Sequence, residues 1–372
     1  MLTRGERFVV EGFGFGDAPG VVLFTRVGGG TIQSPVADSA WTPFVIATTV
    51  PDSAAAGRVG FGIETAAGTR ITAPINVLPR SALNPATLTW ISRGTFPGAT
   101  SGIALAVAQF PGTATLTTSL YAAGGAEPPA LAPDSISGRR VYVARVTSGG
   151  AGAIGTWTPT RLLPAPRAFA TAVVGTPFNS RFRGNALYVI GGLDSLGRAQ
   201  SSVYAADVTA DSVSTAFITI EPLPAPRAGA LAVIRHGRIY LLGGTDSLGR
   251  PQSSVYTGRI GADGHIDGWF VQPPLAGARA YGAAVARAGR VFTVGGVIDS
   301  VPPGGGLDAA TQRVVTGDTA AVSALSGFFT GGWGAGPALL PEGRSQFALF
   351  DLDSIVLVVG GVYAGAASNS AE

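Results

Sequence analysis

A short motif that recurs four times constrains the fold of this chain more than any other feature of its sequence. Residues 163–167 read Leu-Pro-Ala-Pro-Arg, and the same five residues return at 223–227. Looser copies occupy 275–279 and 340–344. The closing arginine of each copy lies ten or eleven positions after an aromatic residue, namely Trp157, Phe217, Trp269 or Trp333. Such self-similarity indicates a repeat architecture, in which each unit packs against its neighbours.

A Gly-Gly pair that closes an apolar run sets the period of the repeat. It occurs at Gly191-Gly192, Gly243-Gly244, Gly295-Gly296 and Gly360-Gly361, with intervals of 52, 52 and 65 residues. The longer interval indicates an insertion at 302–318. A fifth pair begins at Gly124 and belongs to a degenerate first unit, because Thr100 stands where the arginine is expected, 24 residues before the pair as in the second unit.

Each unit is predicted to form four short β-strands. In the third unit, turn-forming sequences at His236-Gly237 and Asp263-Gly264 separate apolar or alternating segments. These segments predict strands at 228–234, 238–242, 254–260 and 266–272. Four strands in about 50 residues correspond to one blade of a β-propeller.

The order of apolar strand, Gly-Gly pair, later aromatic residue and Leu-Pro-x-x-Arg resembles the kelch repeat over residues 86–372. Kelch proteins fold as β-propellers, so the resemblance implies the same fold here. The glycine pair would allow backbone conformations and a close approach that a Cβ atom blocks. The aromatic residue would form an apolar wedge between neighbouring blades.

Residues 1–79 follow a different pattern. Gly12-Phe13-Gly14-Phe15-Gly16, Trp41, Val50-Pro51 and Gly57-Arg58-Val59 occur in an order that resembles the IPT/TIG domain. That domain is an immunoglobulin-like β-sandwich found in bacterial surface proteins and in some receptors and transcription factors. The resemblance implies a sandwich at the N-terminus of this chain.

The expected fold is therefore all-β, with an immunoglobulin-like β-sandwich at 1–79, a linker at 80–89 and an incomplete kelch-type propeller at 90–372. The propeller would have about four and a half blades and would be truncated at the C-terminus. Trp90 would belong to the last strand of a blade that has no upstream strands. We expect a fragment of a longer protein; the alternative is an open ring, or one closed by another molecule, which would leave sheet edges exposed.

The missing residue types limit the chemistry. The chain has no cysteine and no lysine, which excludes disulfides, thiol catalysis, cysteine-ligated metals and a phosphate-binding P-loop. The copper chemistry of galactose-oxidase-like kelch proteins needs a cysteine cross-linked to tyrosine and several histidines. This chain has only two histidines, His236 and His265. We therefore predict no cofactor, no metal and no catalytic set.

Charge and hydropathy also narrow the set of partners. The net charge is only +3 and the arginines are spread along the chain, so we predict no binding to nucleic acid. The longest apolar stretch, at 355–367, is shorter than the roughly 20 residues that a spanning helix needs, so we predict no membrane span. Residues 1–6 lack the apolar core of a signal peptide. We expect a monomer.

The candidate binding site is a loop that occurs twice. Residues 194–204 return at 246–256 with ten of eleven positions identical, and both segments join the second and third strands of a unit. They should emerge on one face of the propeller, where charged and amide groups could bind a sugar or a carboxylate. The candidate ligand-binding residues are Asp194, Arg198, Gln200, Asp246, Arg250 and Gln252. The alternative is duplication of a sound Asp-Ser-x-Gly turn.

The arginine that closes each motif permits two interpretations. The four arginines could form an anion-binding ring, or each could brace adjacent blades through hydrogen bonds to carbonyls or a carboxylate. We favour the bracing role. The residues concerned are Arg167, Arg227, Arg279 and Arg344.

These observations predict a non-catalytic binding or adhesion module that recognises carbohydrate or protein through propeller loops. The two resemblances imply a bacterial extracellular or cell-surface protein. One alternative is a fragment of a sugar-active kelch enzyme whose site lies in missing blades. Another is an architectural spacer. Fold alone does not decide among them.

Overall fold

A computed structural model describes the chain with several gaps. The described residues are 2–5, 7–11, 13–34, 36, 40–78, 95–98, 100–111, 116–126, 137–146, 154–175, 185–235, 237–287, 289–299, 316–323, 326–338, 340, 343–352, 355–359, 361–363 and 366–367. The predicted linker at 80–89, Trp90 and His236 lie outside them. Their regular structure is mainly β-strand, and Ser137–Arg139 form a 3-10 turn. No helix among them is long and apolar enough to cross a membrane.

The N-terminal residues form two β-sheets over one hydrophobic core. The strands are β1 (Leu2–Thr3), β2 (Arg7–Glu11), β3 (Val21–Thr25), β4 (Thr31–Ser34), β5 (Val45–Thr49), β6 (Gly57–Glu64) and β7 (Arg70–Leu78). One sheet has the order β1-β7-β6-β3-β4, and the other pairs β2 with β5. Phe24 from the first sheet and Ile46 from the second are fully buried in the shared core beside Trp41. Assignment of this unit to the IPT/TIG type stays a prediction.

Four antiparallel sheets follow, one for each of the first four repeat units. Repeat sheet 1 contains β8 (Ala104–Pro111), β9 (Leu116–Ala123), β10 (Val141–Val146) and β11 (Thr158–Pro159). Repeat sheet 2 contains β12 (Thr171–Gly175), β13 (Ala186–Ile190), β14 (Val203–Thr209), β15 (Ser212–Val213) and β16 (Ile218–Ile220). Repeat sheet 3 contains β17 (Leu231–Arg235), β18 (Arg238–Leu242), β19 (Val255–Ile260) and β20 (Ile266–Gln272). Repeat sheet 4 contains β21 (Ala283–Arg287), β22 (Arg290–Val294), β23 (Thr316–Ala321) and β24 (Gly334–Ala338).

The four strands predicted for the third unit are confirmed, and the largest difference in their bounds is at the start of the first. Strand β17 begins at Leu231 and not at residue 228. Gly229 has a φ of 57° and donates its backbone N–H to the carbonyl of Phe169 in the preceding unit. A left-handed residue bonded across to a neighbouring unit cannot extend the ladder, so the strand starts after it.

The fifth unit is represented by a hairpin and three short strands. Strands β26 (Ala348–Leu352) and β27 (Ile355–Val359) pair with each other. Strands β25 (Arg344–Ser345), β28 (Val362–Tyr363) and β29 (Ala366–Ala367) form a separate small sheet.

The repeat sheets pack side by side around their first strands. Strand β8 contacts β12, β12 contacts β17, β17 contacts β21, and β21 contacts β26. Apolar clusters fill the spaces between successive sheets. Phe217 of the second unit joins the cluster shared with repeat sheet 1, and Trp333 of the fourth unit joins the one shared with repeat sheet 3. The predicted aromatic wedge is confirmed, and the arrangement is propeller-like.

A tyrosine three residues before the glycine pair ties each of the first three sheets to the next. The Tyr188 hydroxyl donates to the Gly264 carbonyl at 2.9 Å, and the Tyr240 hydroxyl donates to the Gly327 carbonyl at 2.6 Å. Tyr121 donates in the same way to the Thr209 carbonyl. All three tyrosines are fully buried, so each hydroxyl needs this partner. Sheet 4 has Phe292 at the equivalent position.

Candidate functional site

The first copy of the repeated loop is organised around Asp194. One carboxylate oxygen accepts from the backbone N–H groups of Leu196 and Arg198, both at 2.9 Å. The other accepts from Arg198 Nε at 3.2 Å and from Gln200 Nε2 at 2.8 Å. An ionised carboxylate has about four acceptor positions, and the loop itself uses four.

The second copy repeats this geometry around Asp246. Its carboxylate accepts from the N–H groups of Leu248 and Arg250 at 2.9 and 3.0 Å, from Arg250 Nε at 2.8 Å and from Gln252 Nε2 at 3.1 Å. The six candidate residues are therefore brought together as two triads, each inside its own loop. The proposed turn chemistry accounts for the aspartates and glutamines of both copies.

Hydrogen bonding stabilises the charged form of both aspartates. Burial alone would raise the pKa of Asp194, but the hydrogen bonds from Arg198 and Leu196 outweigh it, and the pKa lies below its usual value. The pKa of Asp246 is lowered against the same opposing effect of burial by the bonds from Arg250 and Leu248. Both loops are thus held in shape by ionised aspartates at neutral pH.

The loops present a leucine and an arginine to solvent. Leu196 is 68% exposed and Leu248 is 60% exposed. The side chains of Arg198 and Arg250 are 61% and 60% exposed, whereas the aspartates that they contact are 16% and 17% exposed. The leucines were missed by the sequence analysis. Their signal was present, since a leucine at the tip of a polar turn recurs unchanged in both copies.

The motif arginines of the second and third units occupy buried sockets lined by hydroxyl groups. Arg167 Nη2 donates to Ser202 Oγ at 2.5 Å and to the Tyr204 hydroxyl at 2.6 Å. Arg227 makes the equivalent bonds to Ser254 at 2.5 Å and to Tyr256 at 3.2 Å. Each guanidinium also lies over the tyrosine ring, about 5 Å from its centroid in the case of Arg167. Burial lowers the pKa of both arginines.

The fourth unit replaces this socket with an ion pair. Arg279 Nη2 lies 3.2 Å from the carboxylate of Asp318, and both side chains are 4% exposed. Asp318 occupies the position of Tyr204 and Tyr256 in the other sheets. Burial is the largest effect on its carboxyl group, and it raises the pKa of Asp318 despite the attraction of Arg279.

The backbone of each motif arginine explains the glycine pair. The second glycine donates its N–H to the carbonyl of the next arginine: Gly192 to Arg227 at 2.8 Å, and Gly244 to Arg279 at 2.9 Å. A Cβ on the first glycine, Gly191 or Gly243, would press into that same carbonyl oxygen. The close approach predicted for the glycines is confirmed. The prediction that the arginine side chains brace adjacent blades is wrong: the guanidinium groups bond within their own unit, and the backbone carbonyl of the arginine makes the contact with the preceding unit. Hydroxyl groups, which we had not expected, replace the carboxylate in two of the sockets.

A cavity of about 500 Å³ lies among the first strands, at the end where the repeated loops emerge. Its rim is a chain of backbone hydrogen bonds of 2.7–2.8 Å that crosses five units. The series begins at the carbonyl of Gly102, which accepts from the backbone N–H of Phe169 in the next unit. Each further unit continues it in the same way, through Gly229, Tyr281 and Gln346. All five residues have positive φ, which is uncommon outside glycine. Phe169 and Tyr281 meet edge to face at 5.5 Å.

The described residues contain no cluster of three or more side chains suited to a metal ion. His265, the one histidine among them, lies 3.4 Å from Glu221 at the surface between repeat sheets 2 and 3. The Glu221 carboxylate also accepts from the Ile266 N–H at 3.1 Å, so this pair contributes to the contact between sheets.

No protein-family model matches the chain. Two curated proteins of Limulus polyphemus are similar to parts of it. Alpha-scruin is 33% identical over 114 residues, which are 31% of this chain and 12% of alpha-scruin. Beta-scruin is 28% identical over 184 residues, which are 49% of this chain and 18% of beta-scruin. The chain thus matches less than a fifth of the length of either relative.

Among solved structures, that of YjhT aligns with a TM-score of 0.43 and 13% identity, over 74% of this chain and 94% of that chain. The scruin similarities and the series of four-stranded antiparallel sheets together place the chain among β-rich proteins with a kelch-like fold.

Proposed function

We propose that this chain is a non-catalytic protein-binding module that recognises its partner through the two repeated loops. The observation that carries the proposal is that, in each loop, the residues that stabilise the turn differ from those exposed to solvent. Asp194 and Gln200 are used to build the turn, whereas Leu196 and Arg198 are left at the surface. A rigid loop that presents an apolar side chain beside a guanidinium suits a protein surface.

The kelch-like similarity to the scruins supports a protein-binding role. We further propose that the module belongs to a bacterial extracellular or cell-surface protein, which is the setting implied by the resemblance of residues 1–79 to IPT/TIG domains. Carbohydrate stays the second ligand class of the proposal. It is less well supported, because the carboxylates and amides suited to sugar hydroxyls are already occupied within the loops.

Selection from a display library of random peptides tests this proposal. The chain would be presented as bait, with counter-selection on a variant carrying Leu196→Ser, Arg198→Gln, Leu248→Ser and Arg250→Gln. We expect enriched peptides that bind the unsubstituted chain and lose at least about tenfold in affinity for the variant. Peptides that bind both proteins equally would contradict the proposal. Loss of unfolding cooperativity in urea would show that a variant is misfolded, and the single substitutions would then be used.

A glycan array probed with the same two proteins separates the second ligand class. Binding of a glycan by the unsubstituted chain but not by the variant, with no enrichment of peptides, would replace protein by carbohydrate as the ligand.

A further inference from the structure

The charge that each repeated loop offers to a partner is positive. The Asp194 and Asp246 side chains are about one-sixth exposed, and within the described residues their carboxylates accept hydrogen bonds only from their own loop. Arg198 and Arg250 are about three-fifths exposed. Although each loop is neutral in sum, a partner would meet the guanidinium and not the carboxylate. Complementarity therefore favours an acidic partner.

Each guanidinium keeps hydrogen-bonding capacity for such a partner. Arg198 contacts Asp194 through Nε and Nη2 at 3.2 and 3.1 Å, and Arg250 contacts Asp246 through the same atoms at 2.8 Å. Within the described residues, the Nη1 group of neither arginine is hydrogen-bonded. A guanidinium has five N–H donors in a fixed plane, so two donors on Nη1 can engage a carboxylate while the loop stays intact.

An apolar contact lies beside each of these charges. Leu196 and Leu248 are two positions before Arg198 and Arg250, at the tips of the same turns. Burying one leucine side chain is worth roughly 1.5–3 kcal/mol. Each loop thus offers the same pair of contacts, one apolar and one cationic, and the pair is presented twice on neighbouring sheets.

The spacing of the two loops limits the shape of the partner. Two successive backbone bridges, Gln200 with Arg227 and Ala228 with Thr245, separate the two loops. Each bridge spans about 5 Å, so the loops lie about 10 Å apart. In a polyproline II helix, side chains three residues apart lie on the same side, roughly 9 Å from each other. In a β-strand the same side recurs every two residues, about 7 Å apart. An extended peptide of period three therefore matches the two loops better than a strand.

We propose that the two repeated loops together bind an extended acidic segment in which a leucine-type residue followed by a carboxylate recurs every three residues. This inference rests on the proposed function and names its partner class. Each carboxylate pairs with Arg198 or Arg250, and each apolar residue packs on Leu196 or Leu248. Because both units belong to one peptide, the second contact is intramolecular and strengthens binding beyond either contact alone.

Fluorescence anisotropy with three labelled peptides tests the partner class. The two-unit probe is Leu-Glu-Pro-Leu-Glu-Pro, the one-unit probe has its second Leu-Glu replaced by Gly-Gln, and the neutral probe has both glutamates replaced by glutamine. We expect the two-unit probe to bind at least about tenfold more tightly than the other two. Its affinity should fall as salt rises, because exposed charges are screened.

Loop substitutions test whether both loops act at once. Arg198→Gln or Arg250→Gln alone should weaken the two-unit probe about tenfold, to the affinity of the one-unit probe. Arg145→Gln is the matched control, since Arg145 is another exposed arginine in an ion pair, with Asp211, at the opposite end of the strands. It should leave the affinity unchanged. Equal binding of the neutral probe, or an unchanged affinity in both loop variants, would overturn the inference.

Failure of the partner class can be told apart from failure of the proposed function. If the acidic probes do not bind, but display selection yields other peptides that depend on Leu196 and Arg198, the partner class is wrong and the protein-binding role stands. If selection yields no loop-dependent peptide, both are wrong.

Discussion

The motif arginine of repeat sheets 2 and 3 is stabilised by different chemistry from the equivalent arginine of repeat sheet 4. Arg167 and Arg227 are buried against a serine and a tyrosine hydroxyl, whereas Arg279 is buried against the carboxylate of Asp318. The backbone bonds that join each arginine to the preceding glycine pair are the same in all three. The repeat therefore specifies where the arginine lies, and the local residues specify how its charge is stabilised.

Substitution in the ion pair of repeat sheet 4 should lower the free energy of unfolding more than substitution in the other sockets. Asp318→Ala leaves the Arg279 guanidinium buried without a counter-charge, and breaking a buried pair in this way costs about 3–5 kcal/mol. Urea denaturation measures the loss. Asp211→Ala, which breaks the exposed pair with Arg145, is the control and should cost less than about 1 kcal/mol. Similar losses in both variants would show that Asp318 does not stabilise Arg279.

Substitution in the uncharged socket of repeat sheet 3 should lower the free energy of unfolding by a smaller amount. Tyr256→Phe removes a hydroxyl that accepts from Arg227 but keeps the aromatic ring under the guanidinium. We expect a loss of about 1–2 kcal/mol in the free energy of unfolding, because one bond to a buried charged donor is lost. A loss as large as that of Asp318→Ala would mean that the two kinds of socket are not energetically distinct.

Tyr240→Phe tests a second difference between repeat sheets 3 and 4, in the tyrosine that bonds to the next sheet. The substitution recreates the phenylalanine that sheet 4 has at Phe292, and it leaves the buried carbonyl of Gly327 without the Tyr240 hydroxyl. Loss of that bond should cost about 1–2 kcal/mol in the free energy of unfolding, measured by urea denaturation. No measurable loss would show that the hydroxyl is dispensable for contact between sheets.

The pH dependence of stability should have opposite signs at Asp318 and Asp246. The pKa of Asp318 is raised in the folded protein, so its contribution is present below the unfolded pKa and is lost as the pH rises through the folded pKa. The pKa of Asp246 is lowered, so its contribution is present above the unfolded pKa and is lost as the pH falls through the folded pKa.

Asparagine substitutions measured from pH 7 downward test these signs. The stability of the unsubstituted chain relative to Asp318→Asn should increase as the pH falls, and its stability relative to Asp246→Asn should decrease. Slopes of the same sign would contradict the assigned pKa directions.

The sequence was sufficient for the features that recur with the repeat. The strands of the third unit, the wedge formed by Trp333 and the close approach at the glycine pairs follow from spacing, since a repeated pattern must serve the same contact in every unit. The side chains of the motif arginines do not reach the neighbouring unit as predicted, because they find hydroxyl or carboxylate partners in their own sheet. The start of β17 was predicted three residues too early, because its apolar composition cannot reveal that Gly229 turns away to bond to the neighbouring unit.

The candidate site was harder to predict because a sequence names residues but not their contacts. Both Asp194 and Arg198 were predicted to bind a ligand. The three-dimensional structure was needed to show that the aspartate is bonded within the loop and that the arginine is exposed. Leu196 was overlooked since a single exposed leucine is ordinary at a protein surface. Its recurrence as Leu248 was the available signal.

The central claim is that each repeated loop separates the residues that build it from the residues that it presents. The free energies of unfolding of Asp246→Asn and Arg250→Gln, measured side by side in urea, test this most directly. We predict a loss of about 1–2 kcal/mol for Asp246→Asn, which weakens four internal contacts, and a change within about 0.5 kcal/mol for Arg250→Gln. A loss for Arg250→Gln equal to that for Asp246→Asn would contradict the claim, because the arginine would then belong to the frame of the loop.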